Sequence, residues 1–186
     1  LSPGNVYFHL GNIFKKQNNS KEAFHAYKNA IRFESKSYYG YLGLANYYQE
    51  QNKWEQASPF YQKAIELECT NPQAYFLFGQ NLQKQEKWQE AATAYEKTVE
   101  LHAQHFQANI ELASCYSHLE KWDKAIQIYQ KLIKLNPQNS KAYLLLGEIF
   151  VRQESWEEAK AAYEKTVELH SQNFQANIEL ASCYCQ

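Results

Sequence analysis

Pro72 to His105 reads PQAYFLFGQNLQKQEKWQEAATAYEKTVELHAQH, and the same pattern returns along the whole chain with a period of 34 residues. Repeats that begin at Gly4, Tyr38, Pro72, Phe106, Ser140 and Phe174 align without insertion or deletion, giving five full repeats and the first third of a sixth. Leu10, Leu44, Phe78, Leu112, Leu146 and Leu180 share one column, followed by the small residues Gly11, Ala45, Gly79, Ala113, Gly147 and Ala181. A later column holds Ala23, Ala57, Ala91, Ala125 and Ala159, and another Tyr27, Tyr61, Tyr95, Tyr129 and Tyr163. A fixed period of this length means stacked helical hairpins, each packed on its neighbours.

Within the quoted repeat, Ala74, Tyr75, Phe78, Gly79 and Leu82 recur at helical steps and mark one face of a first helix. Asn71-Pro72 is a start signal, because Asn caps and Pro fits the first helical turn. Gln85-Glu86-Lys87 interrupts the pattern, and Trp88, Ala91, Ala92, Tyr95 and Val99 resume it on a second helix that ends near Leu101. Similar breaks fall at Asn18-Asn19-Ser20, Asn52-Lys53, Glu120-Lys121 and Glu154-Ser155. The small column is expected where the two helices of a hairpin approach, with the alanine column facing it. Pro59 lies a few residues into the second helix of the second repeat, so that helix either starts late or kinks there.

These columns closely resemble the tetratricopeptide repeat, whose signature is an aromatic, then Leu-Gly, then Tyr, with Ala and an aromatic later. Here it reads Tyr75…Phe78-Gly79…Leu82…Ala91…Tyr95, or Tyr143…Leu146-Gly147…Phe150…Ala159…Tyr163. The resemblance covers residues 4–186. It departs at Asn109 and Asn177, which replace the first aromatic, and in lacking the usual glycine between the helices. It implies an all-α fold: a right-handed superhelical solenoid of antiparallel helix-turn-helix repeats, here a single array at 4–37, 38–71, 72–105, 106–139, 140–173 and a partial 174–186. The chain begins at Leu1, contains no methionine and stops inside a sixth repeat, so it is expected to be a piece of a longer protein.

The resemblance also implies a protein-binding scaffold that holds a peptide or helix in the concave groove lined by the first helices. In that family the second, fifth, ninth, twelfth and thirteenth residues of a repeat point into the groove. The candidate groove residues are then Phe8, Leu42, Phe76, Ile110 and Leu144 in an apolar row and Asn12, Asn46, Gln80, Ser114 and Glu148 in a polar row. Tyr39, Lys15, Lys16, Lys84, His118 and Arg152 complete the set. An apolar row beside an amide-rich row suits a peptide, whose backbone Asn and Gln can both donate to and accept from. For the fifth position two readings stand together: lining of the groove, or packing against the next first helix. The family's carboxylate clamp, which places lysine at that position, is not expected.

Net charge is −1, from 19 basic and 20 acidic residues, which gives no electrostatic case for nucleic acid or an anionic membrane. No long apolar run suggests membrane insertion. Cys69, Cys115, Cys183 and Cys185 lack disulfide-scaffold spacing, which favours a reducing, cytoplasmic setting. Cys183 and Cys185 form CxC rather than a CxxC pair, and His102 and His105 have no third ligand spaced with them. No phosphate loop, nucleophile elbow or HExxH occurs. Neither enzymatic activity nor a metal or cofactor is expected of this segment.

Two other roles remain open: a substrate-recruiting arm of a larger enzyme of glycosyltransferase or sulfotransferase type, and self-association through the open sixth repeat. Glu86–Tyr116 nearly duplicates Glu154–Tyr184, and FQANIELASCY is identical at 106–116 and 174–184. Recent copying explains this, as does presentation of one surface twice to a repetitive partner.

Overall fold

The computed structural model describes residues 2–185, which are helical throughout apart from short connections. The helices are α1 (Pro3–Lys16), α2 (Ser20–Phe33), α3 (Tyr38–Glu50), α4 (Trp54–Leu67), α5 (Pro72–Lys84), α6 (Trp88–Leu101), α7 (Phe106–His118), α8 (Trp122–Leu135), α9 (Ser140–Arg152), α10 (Trp156–Leu169) and α11 (Phe174–Cys183). They form two compact units, Leu1–His105 and Phe106–Gln186, divided at a repeat boundary. In the first unit α1, α3 and α5 each pair with the second helix of their own repeat, and in the second unit α7 pairs with α8 and α9 with α10.

Most first helices are capped by a side chain, as a Ser or Asn oxygen meets an otherwise orphan backbone N–H. Asn71 Oδ1 accepts from the N–H of Gln73 at 3.0 Å, Ser37 Oγ from Gly40 at 3.2 Å, Asn139 Oδ1 from Ala142 at 3.2 Å and Asn173 Oδ1 from Ala176 at 2.9 Å. The five second helices have no such bond, and they follow a turn that is closed by the backbone instead. In the third repeat the N–H of Lys87 donates to Leu82 O and that of Glu86 to Gln83 O, both at 3.0 Å. This is the 6→1 and 5→2 pairing of a Schellman motif, which needs a left-handed residue after the helix. Asn18, Asn52, Glu86, Glu120 and Glu154 fill that place with φ of 56–59°. The left-handed turn is therefore retained without the family's glycine.

A side chain in this region costs about 1–2 kcal/mol, and glycine gives back part of that through its freer unfolded chain. Glycine at all three glutamate positions is expected to stabilise by about 0.5–1 kcal/mol per site, roughly additively because the sites are separate. A urea titration of the triple variant that showed no gain would mean the turns are not strained.

Packing follows the columns. Tyrosine rings lie directly over the glycines. A Cβ added at Gly11, Gly79 or Gly147 would come within 2.5, 2.6 or 2.7 Å of Cε1 of Tyr27, Tyr95 or Tyr163. Gly43 meets Tyr27 as closely, so this ring lies between two glycines. All five tyrosines are buried, as are Ala23, Ala57, Ala91, Ala125 and Ala159. Around Tyr61 the cluster consists of Tyr38, Leu42, Ala45, Ala57, Ala64 and Ala74.

Pro59 sits inside α4, which begins at Trp54 and continues through it, so the helix does not start late. Beside this first turn lies the fully buried Asn81, at a position that is Ile, Tyr or Cys in the other repeats. Its Nδ2 donates to Trp54 O at 3.1 Å, and its Oδ1 accepts from Ser58 Oγ and Gln85 Nε2, both at 2.8 Å. The amide is thus satisfied on both sides, as burial demands.

Candidate functional site

On the first-helix face of the first compact unit, the tyrosine column reaches outward from the core. Tyr27 Oη donates to Asn12 Oδ1 at 2.8 Å. Tyr61 Oη bonds Asn46 Oδ1 at 2.7 Å and Gln49 Oε1 at 2.9 Å, and Tyr95 Oη donates to Gln83 Oε1 at 2.7 Å. Burial, with Glu50 adding to it, pushes the Tyr27 hydroxyl up to about 12 and also raises Tyr61, so both remain protonated donors. A tyrosine donor fixes the carbonyl end of each amide, and what Asn12 and Asn46 then offer a ligand is the N–H end.

Around these amides the predicted residues group unevenly. Asn12, Lys15 and Lys16 share an open cavity of about 420 Å³ with His9 and Ile13. Lys15 forms an ion pair with Glu50. Phe8 lies against the exposed Tyr39, ring centroids 5.1 Å apart, and against Tyr27 at 6.0 Å. Gln80 is half-buried and Lys84 exposed.

The fifth-position row does not behave as one row. Leu42, Phe76 and Ile110 are buried, at 9%, 8% and 3% exposure, whereas Phe8 and Leu144 are half-buried and Ile178 is 48% exposed. Phe76 packs against His105 (centroids 4.7 Å) and Tyr95 (5.8 Å). What these buried members offer a ligand is limited to the edge of a packed side chain.

In the second compact unit Ser114, His118, Glu148 and Arg152 converge on one cavity of about 110 Å³, together with Tyr129 and Ser117. Burial lifts the Glu148 carboxyl above its ordinary value, a rise that Arg152 opposes and Glu179 reinforces. Tyr129 is raised by burial and by Glu148 and Glu111, and Tyr163 by burial, Glu179 and Glu148. Glu111 and Glu179 belong to the sixth position, which the groove pattern omits; their signal is their place in the duplicated FQANIELASCY. Gln107 and Gln175 hold them by i,i+4 bonds of 2.5 and 2.6 Å. The two faces therefore differ in chemistry: aromatic with lysines in the first unit, carboxylate-rich in the second. Cys115 lies in the core, where burial pushes its thiol up to about 12, so it is no nucleophile at neutral pH. No described helix is long and apolar enough to cross a membrane.

Solved structures share this fold at low identity. YrrB, described as a TPR protein with an unusual peptide-binding site, is 20% identical and superposes with a TM-score of 0.84 over 92% of this chain and 89% of its own. MamA from Desulfovibrio magneticus RS-1 is 21% identical, with a TM-score of 0.82 over 93% of this chain and 98% of its own. A chain of the APC/C hetero-tetramer Cut9–Hcn1 is 15% identical, with a TM-score of 0.69 over 97% of this chain and 36% of its own. No curated protein sequence matches. Two tetratricopeptide repeat family models match residues 76–140 and 120–168, and that of anaphase-promoting complex (cyclosome) subunit 3 matches residues 15–98. With its period, its helical hairpins and these matches in agreement, the chain belongs to the tetratricopeptide repeat family.

Proposed function

We propose that this chain is a protein-interaction scaffold that binds a peptide or short helix of a partner protein along its first-helix face. The observation that carries the reading is the row of amides held by buried tyrosine hydroxyls, Tyr27 to Asn12 and Tyr61 to Asn46. Amides fixed before binding lose little side-chain freedom on meeting a peptide backbone, which favours affinity. Phe8 and Tyr39 supply an adjacent apolar contact, and Lys15, Lys16 and Lys84 favour acidic flanks in the first unit. The described peptide-binding site of the similarly folded YrrB is consistent with a peptide as ligand.

The test compares immobilised wild type with a Tyr39→Asp, Gln80→Arg, Lys84→Glu variant for capture of partners from source-cell lysate. None of the three side chains is buried, so the variant is expected to fold, which circular dichroism checks. Phe76 is unsuited to this purpose because it is core. A partner retained by wild type and lost by the folded variant is the expected result. Equal capture by both would place recognition elsewhere.

A further inference from the structure

On the opposite, second-helix side of the first compact unit lies a groove of about 880 Å³ that the site above does not use. Its walls are α4 and α6, and Ile65, Tyr75, Phe78, Leu82 and Ala94 give it an apolar base. The repeat register explains why it is open. One repeat earlier, the positions of Leu82 and Ala94 are occupied by Tyr48 and Phe60. Those two rings stack, with centroids 5.4 Å apart and planes 16° from parallel. A leucine and an alanine leave vacant what two aromatic rings fill in the preceding repeat.

Charge changes over the same step. The rim carries Glu66, Glu90, Glu96 and Glu100 against Lys97. The corresponding positions one repeat earlier are Arg32, Gln56, Gln62 and Glu66, with Lys63. A rim with a basic excess becomes acidic, in a chain whose charges otherwise nearly balance. The ion pairs at its edge, Lys63–Glu66 at 2.7 Å and Lys97–Glu100 at 2.8 Å, are solvent-exposed, and such pairs exchange for a ligand's cation at little cost.

We infer that this groove is a second docking site and takes a basic amphipathic peptide segment of a protein partner. One or two leucine- or phenylalanine-sized side chains enter the base between α4 and α6, and flanking lysines or arginines face the glutamates. Apolar burial supplies affinity, and the opposed charges select the partner and speed its arrival.

The probe is a short fluorescein-labelled peptide carrying Leu-x-x-x-Leu among lysines, compared with the same peptide bearing glutamate at every lysine. Anisotropy titrations use the whole chain at low and high salt. The lysine peptide is expected to bind saturably and more weakly as salt rises, and the glutamate peptide not to bind. Ala94→Phe supplies the ring native to the preceding repeat and is expected to weaken binding at least tenfold, about 1.4 kcal/mol. Thr93→Arg, at an exposed rim position, keeps the result decisive should Ala94→Phe fail to fold. The first-helix triple variant is expected to bind the probe like wild type, so this site and the amide row succeed or fail separately. The inference is overturned if the lysine peptide does not bind, if the glutamate peptide binds equally, if the groove variants bind like wild type, or if the first-helix variant abolishes binding.

Discussion

Tyr61→Ala is expected to destabilise the first compact unit by about 3–5 kcal/mol, the range for removing a large buried aromatic from a packed core. The ring is fully buried in a cluster where Ala45, Ala57, Ala64 and Ala74 are too short to fill the space it would leave. Tyr61→Phe separates the two roles of the residue. It keeps the packing and removes the bonds to Asn46 and Gln49, at a cost of about 1 kcal/mol. Urea denaturation followed by circular dichroism distinguishes them: a large shift for alanine and a small one for phenylalanine. A loss below about 1 kcal/mol for alanine would mean that the tyrosine column is not the core. Because Tyr61→Phe releases the Asn46 amide, it is also expected to weaken ligand binding in a protein that remains folded.

Ile110→Asp and Ile178→Asp give a contrast that the sequence conceals. Both residues are the fifth of the identical FQANIELASCY segments, yet Ile110 is 3% exposed and Ile178 is 48% exposed. A carboxylate at the buried position 110 must be desolvated or protonated, which costs several kcal/mol. The same change at 178 meets water and is expected to stay within about 0.5 kcal/mol. Thermal melts of the two single variants settle the comparison, and equal midpoints would mean that burial along this column is not what the packing indicates.

That pair also shows how much was legible. The period, the helix pairs, the Asn71-Pro72 start and the end of α6 at Leu101 follow from residue spacing, because helical amphipathicity writes itself into sequence at every turn. The left-handed turns were hidden: without glycine, nothing at Glu86 or Glu120 announces a positive φ. The tyrosine over the glycine column was not legible, because spacing places residues on faces without saying which side chain is long enough to reach across, as Tyr95 does to Gly79. The amide row was visible as a polar column, but its attachment to tyrosines elsewhere in the same repeats depends on the hairpin's closure. Burial along the fifth column depends on what covers each helix, which identical segments cannot encode. The open groove at Ala94 emerges only when neighbouring repeats are compared position by position in three dimensions.

Binding along the first-helix face requires a ligand to touch the amides of the first helices. The deciding measurement is amide chemical-shift mapping on the isotope-labelled chain, titrated with the binding segment of a captured partner. The largest changes are expected at the side-chain and backbone amides of Asn12, Asn46 and Gln80 and their first-helix neighbours. Changes confined to second helices, such as around Gln62, Thr93 and Glu96, with the amide row unmoved, would rule out binding along the first-helix face.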